Sequence, residues 1–103
     1  MNKTTLYIGL NDKDTKKQIL DDTSAINIVT TLLIAHGVNG ATVYKARGVY
    51  KHENGDIIVE NTLRVEIIEP AVNLLTGAII SIKKALNQEA IIKQVENITS
   101  DFV

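Results

Sequence analysis

Arg47 and Arg64, together with Glu60 and Glu66, are the residues of this chain best suited to reading a ligand. A guanidinium presents a planar fork of N–H donors that matches a carboxylate or phosphate, so two arginines on one surface can hold a small anionic metabolite. The same four groups also make an ion-pair network between subunits, a use that needs no ligand and is the favoured expectation. Tyr7 lies in a strand pattern and, with Tyr44 or Tyr50, is placed to line a cleft. Tyrosines on half-buried strands are also ordinary packing residues.

Other chemistries find little support. His52 and Glu53 are adjacent and could pass a proton, but they flank a turn signal, where exposure leaves nothing to tune either group. His36 falls near the end of a helical pattern, where a donor meets unpaired carbonyls. Asn11-Asp12-Lys13-Asp14 alternates oxygen ligands as calcium loops do, yet lacks the glycine and the distant glutamate of that motif, and reads as a solvated loop. Gly37-Val38-Asn39-Gly40 follows a helix and enters a strand, the reverse of a phosphate-binding loop. Ser24, Ser81 and Ser100 have capping, helix-surface and tail explanations, so no serine triad emerges. The chain has no cysteine, which removes disulfides, thiolate nucleophiles and cysteine metal sites. No catalytic residue, metal site or cofactor is expected.

The elements that must position these residues follow from periodicity. Leu6, Ile8 and Leu10 alternate with Thr5, Tyr7 and Gly9, which predicts a central first strand. Asn11 to Asp22 is polar apart from Ile19 and Leu20 and reads as a loop, with one helical turn over Lys16 to Leu20. A helix then starts at a Thr23 or Ser24 cap, carries Ile26, Val29, Leu33 and His36 on one stripe with Leu32 beside it, and ends at Gly37. Pro70 opens a second helix striped by Val72, Leu75, Ile79, Ile82 and Leu86, with Gly77 on the opposite side. A last strand is expected around Ala90 to Val95, with Ile98 and Phe102 anchoring the tail.

Between the helices, runs rich in Val, Ile, Thr and Tyr, from about Ala41 to Lys51 and Asp56 to Ile68, flank Asn54-Gly55. That dipeptide favours a two-residue type I′ turn, with positive φ at both positions, and hence one long hairpin. Such a turn places Tyr44 opposite Val65 and Tyr50 opposite Val59 on the helix-facing side. Val43, Lys45, Arg47, Val49 and Lys51 then share the other face with Glu66, Arg64, Thr62, Glu60 and Ile58.

The order strand, helix, two strands, helix, strand, joined by right-handed crossovers, gives an α+β ferredoxin-like domain over residues 1–103. Its four-stranded antiparallel sheet is covered by both helices on one face only. The second face is either solvated or closed by another subunit's sheet, which would enlarge a small core. Assembly as a dimer or trimer through the open face is the favoured expectation. With 11 basic and 12 acidic residues and a net charge of −1, no global field draws the chain to nucleic acid or to an anionic membrane. No apolar run is long enough to span a bilayer, and the N-terminus shows no export signal, so a cytoplasmic location is expected.

Leu6-Tyr7-Ile8-Gly9-Leu10-Asn11, Ala46-Arg47-Gly48-Val49-Tyr50 and Gly55-Asp56-Ile57-Ile58-Val59-Glu60 resemble a group of small, uncharacterised bacterial ferredoxin-like proteins along most of the chain. The helix order and long hairpin also look like PII-type regulators, trimers that bind adenine nucleotides at subunit clefts. The chain differs from them in its tight Asn-Gly turn, where they carry a flexible loop, and in lacking a matching phosphate-binding motif. The expected function is that of a homo-oligomeric binding, regulatory or structural module that assembles through the open sheet face. Its alternatives are a small-ligand sensor, or a small enzyme with a pocket near Tyr7, Tyr44 or Arg64.

Overall fold

A computed structural model describes residues 1–103. The elements are β1 (Asn2–Gly9), α1 (Asp22–Ala35), β2 (Thr42–Lys51), β3 (Ile57–Ile68), α2 (Val72–Ala85) and β4 (Ile92–Asn97). They form the anticipated ferredoxin-like fold, an antiparallel sheet in the order β2-β3-β1-β4 with both helices on one face.

The core follows the two periodicities read from sequence, except that Val72, placed on the α2 stripe, stands exposed at the start of the helix. Leu6 and Ile8 on β1 meet Leu63, Val65 and Ile67 on β3, and these pack against Ala25, Val29 and Leu33 of α1 and Leu75, Ala78 and Ile82 of α2. Each fully buried Leu, Ile or Val contributes about 1.5–3 kcal/mol. The two edge strands add almost nothing: β2 supplies only the partly buried Val43, and every residue of β4 is exposed. The core therefore rests on the two central strands and two helices.

Several boundaries move. The α1 cap is Asp21, whose carboxylate accepts from the Ser24 amide at 2.7 Å, so the helix starts two to three residues ahead of the expected Thr23 or Ser24 cap. Gly37 does end that helix in the left-handed region, at φ +86°. Pro70 stands just ahead of the Ala71 cap rather than inside α2. No helical turn forms over Lys16 to Leu20, because Asn11 and Gln18 bridge as antiparallel neighbours and hold the segment as a closed loop. Gly77 faces α1: a Cβ there would lie 3.1 Å from His36 Nδ1, and the His36 ring is held by Ser81 at 2.9 Å.

The main correction concerns the hairpin. The Gly55 amide donates to the His52 carbonyl at 2.9 Å, and the His52 amide donates to Asp56 at 2.8 Å. Gly55 is left-handed at φ +93°, whereas Asn54 is not among the positive-φ residues. The connection is thus a three-residue loop, a type I turn closed by a left-handed glycine, and the predicted type I′ turn is not formed. Strand pairing shifts by one residue, to Tyr44 opposite Arg64 and Tyr50 opposite Ile58. A one-residue shift exchanges the faces of a whole strand.

From Asn61 outward β3 has lost its β1 partner, so the hairpin continues as a two-stranded arm and the molecule measures 46 × 25 × 23 Å. Gly55→Val should destabilise the protein by about 1–2 kcal/mol, because a β-branched side chain resists the left-handed region. Urea unfolding checks this, and an unchanged midpoint would contradict the turn.

Candidate functional site

The shifted register decides which side chains meet on the open face. Ile92, Tyr7, Arg64 and Tyr44 stand in one row across β4, β1, β3 and β2. The Arg64 guanidinium carbon lies 5.4 Å from the centre of the Tyr7 ring and 5.5 Å from that of Tyr44. Each such contact is worth about 0.5–1 kcal/mol at a partly exposed position. Alternation places Arg64 here: Leu63 and Val65 point into the core, so the residue between them points out.

The adjoining rows are electrostatic. Arg64 reaches the Glu66 carboxylate at 3.1 Å, Lys3 reaches the same oxygen at 3.4 Å, and Lys3 also pairs with Glu96 at 3.1 Å. Desolvation pushes the Glu66 carboxyl upward, but the Tyr44 hydroxyl, Lys3 and Arg64 outweigh it and hold the group below its ordinary value. Desolvation, reinforced by Glu66, raises the Tyr44 phenol. The network leaves one loose end, since Arg64 Nε is buried without an acceptor.

Of the residues singled out in the sequence, Tyr7, Arg64, Glu60 and Glu66 do share the open face. Arg47 does not. It lies opposite Asn61 on the helix-facing side, exposed beyond the end of the helix layer, so the two arginines cannot hold one ligand between them within a subunit. Tyr44 and Tyr50 move the other way and join the open face. Lys3 was not anticipated. Its signal was two-residue alternation with Thr5 and Tyr7, which places it outward on β1.

Glu60 is separate from this network. Its carboxylate accepts from the Asn11 amide at 3.1 Å and from the Tyr50 hydroxyl at 3.3 Å, at the foot of the arm. Gly9 makes room for it: a Cβ there would come within 2.5 Å of Glu60 Oε1.

Around this point the loop following β1 is latched to the segment preceding β4. Asp12 accepts from the Asp14 and Thr15 amides, each at 2.9 Å, and Asn87 donates to both Asp12, at 2.7 Å, and Asp14, at 2.9 Å. The oxygen-rich run therefore serves as a structural clasp, and no group of three His, Cys, Asp or Glu is arranged to hold a metal ion.

Fold and site together define an α+β ferredoxin-like protein with one uncovered sheet face. Residues 3–102 match the family described as "Protein of unknown function (DUF3574)", and the chain belongs to that family. No curated protein matches it. Among solved structures it is similar to a phage SAM lyase in complex with S-methyl-5′-thioadenosine, with TM-score 0.67 and 19% identity over 92% of this chain and 79% of the other. It is also similar to CutA1 from Pyrococcus horikoshii, with TM-score 0.61 and 17% identity over 99% and 87% of the two chains. A third likeness is to the periplasmic divalent cation tolerance protein CutA from Archaeoglobus fulgidus, with TM-score 0.62 and 11% identity over 97% and 87%. At these identities the likeness is one of fold. No helix is long and apolar enough to cross a membrane.

Hydrogen bonds from Asn87 and from the Thr15 and Asp14 backbone amides outweigh desolvation and hold the Asp12 carboxyl below its ordinary value. A depressed folded-state value stabilises the protein above the ordinary aspartate range, and that contribution is lost as pH falls through the folded value. Asp12→Asn should therefore be less stable than the parent near neutrality, with the difference disappearing in acid, as followed by unfolding midpoints against pH.

Proposed function

We propose that this protein is a homo-oligomeric binding or regulatory module that assembles through its open sheet face, the occupant of that face being a second copy of the chain. The observation that carries this reading is the composition of the face. Tyr44, Tyr50, Ile68 and Ile92 are exposed on it, while its central charges are already matched within the subunit. Matched charges lose less on desolvation than lone ones.

Lys3 and Arg64 beside Glu60, Glu66 and Glu96 give the face both signs, so it can complement itself under rotation. Four strands at about 4.8 Å spacing and seven paired residues at about 3.3 Å present on the order of 500 Å². The arm extends this toward the roughly 800 Å² per partner of a stable complex. The alternative of a small sensor or enzyme built around Tyr7, Tyr44 and Arg64 calls for an enclosed pocket there, and those residues stand on an open surface.

Native mass spectrometry and light scattering should show a dimer or trimer at micromolar concentration. Arg64→Glu should dissociate it, because the reversed charge meets Glu66 and leaves Lys3 as the only nearby cation. Arg47→Glu, on the other face, should leave the assembly intact. A monomeric parent protein, or an Arg64→Glu variant of unchanged mass, would remove the proposal.

A further inference from the structure

A cleft of about 470 Å³ lies beside the arm, between the outer hairpin, the loop after β1 and the segment before β4. Glu60 forms part of its wall, and its carboxylate has no cationic partner within salt-bridge distance, unlike Glu66 on the same strand. Both Glu60 oxygens accept from neutral donors only, the Asn11 amide and the Tyr50 hydroxyl. A half-buried carboxylate without a counter-charge is costly, and here the backbone is shaped to keep it, since only a glycine at position 9 leaves the space it occupies.

The rest of the lining favours the same sign of ligand. Asp12, Asp56, Glu60 and Glu89 outnumber Lys13 and Lys16. Tyr50 and His52 meet edge to face with ring centres 5.6 Å apart, and both rings border the cleft. A carboxylate beside aromatic faces is the combination that recognises an organic cation. A bare metal ion is the poorer fit, because no three metal-ligating side chains converge.

We infer that this cleft is a binding site for a small organic cation, an ammonium or guanidinium compound, which pairs with Glu60 while its carbon skeleton lies against Tyr50. Every group in this site comes from one chain, although Tyr50 and Glu60 also lie on the open face, so cation binding and oligomeric mass are followed on the same samples.

The test is an NMR titration of the ¹⁵N-labelled protein with putrescine and with agmatine, using acetate as the anionic control and measuring oligomeric mass on the same samples. The Asn11 amide reports directly, because its N–H is bonded to Glu60. Saturable shifts at Asn11 and Tyr50 with the cations, and none with acetate, are expected. Glu60→Gln keeps an acceptor and loses the charge, and should weaken binding about tenfold or more.

Gly9→Ala supplies an independent check, as its methyl group displaces the carboxylate and should weaken binding without altering charge. It also decides the matter if Glu60→Gln proves poorly folded. Absence of saturable shifts up to about 10 mM cation, a range in which even weak sites saturate, would overturn the inference. So would undiminished affinity in a folded Glu60→Gln protein, or shifts produced by acetate in place of the cations. Because mass is read separately, a cation-binding monomer would overturn only the assembly proposal, and an oligomer that ignores cations only this one.

Discussion

The left-handed glycine at the tip of the hairpin is the constraint on which the surface of this protein depends. Gly55 at φ +93° closes a three-residue loop, and that loop sets Tyr44 against Arg64 rather than against Val65. Everything distinctive about the open face follows from this pairing: the arginine between two tyrosine rings, the separation of Arg47 from Arg64, and the placement of Tyr50 above Glu60. A side chain has little say in the matter on β2, where Thr42 to Lys51 lacks strict apolar alternation and so accepts either register.

A single layer of helices divides the molecule into unlike halves. Beneath the helices, β1 and β3 carry a core of aliphatic side chains that needs no help from either edge strand. Above, the same two strands present Lys3, Tyr7, Arg64 and Glu66, whose charges and rings satisfy one another almost completely. Such a surface is neither a greasy patch nor a freely solvated one. Its polar groups are organised before any partner arrives, which lowers the cost of burying them.

The two ends of the sheet differ as well. At the arm end, the chain invests many polar contacts in a small volume: Gln88 donates to the Asn11 carbonyl, Asn61 donates to Gln18, and Asn87 clasps two aspartates. Each of these satisfies a neighbour within the network. Glu60 stands apart, because its partners are neutral while its own charge is not balanced. Asn87 and Lys16 adopt left-handed backbone angles nearby, at φ +48° and +64°, so this end also carries strain that the clasp must hold.

Wherever one residue type had only one comfortable environment, local sequence was enough to determine the structure. Leu63, Val65 and Ile67 alternating with Arg64 and Glu66 assign the faces of β3, and the stripe through Leu75, Ile82 and Leu86 assigns the buried side of α2. Element order, sheet topology and the presence of an uncovered face follow from those patterns and from the handedness of crossovers. What the tertiary structure alone decided were contacts resting on a choice between near-equal local options. Asn-Gly suits a two-residue turn and a three-residue one alike, and the folded chain takes the three-residue form that sets Tyr44 against Arg64. The space that Gly9 leaves for Glu60 and the reach of Asn87 to Asp12 join residues far apart in the chain, and no local preference records such distances.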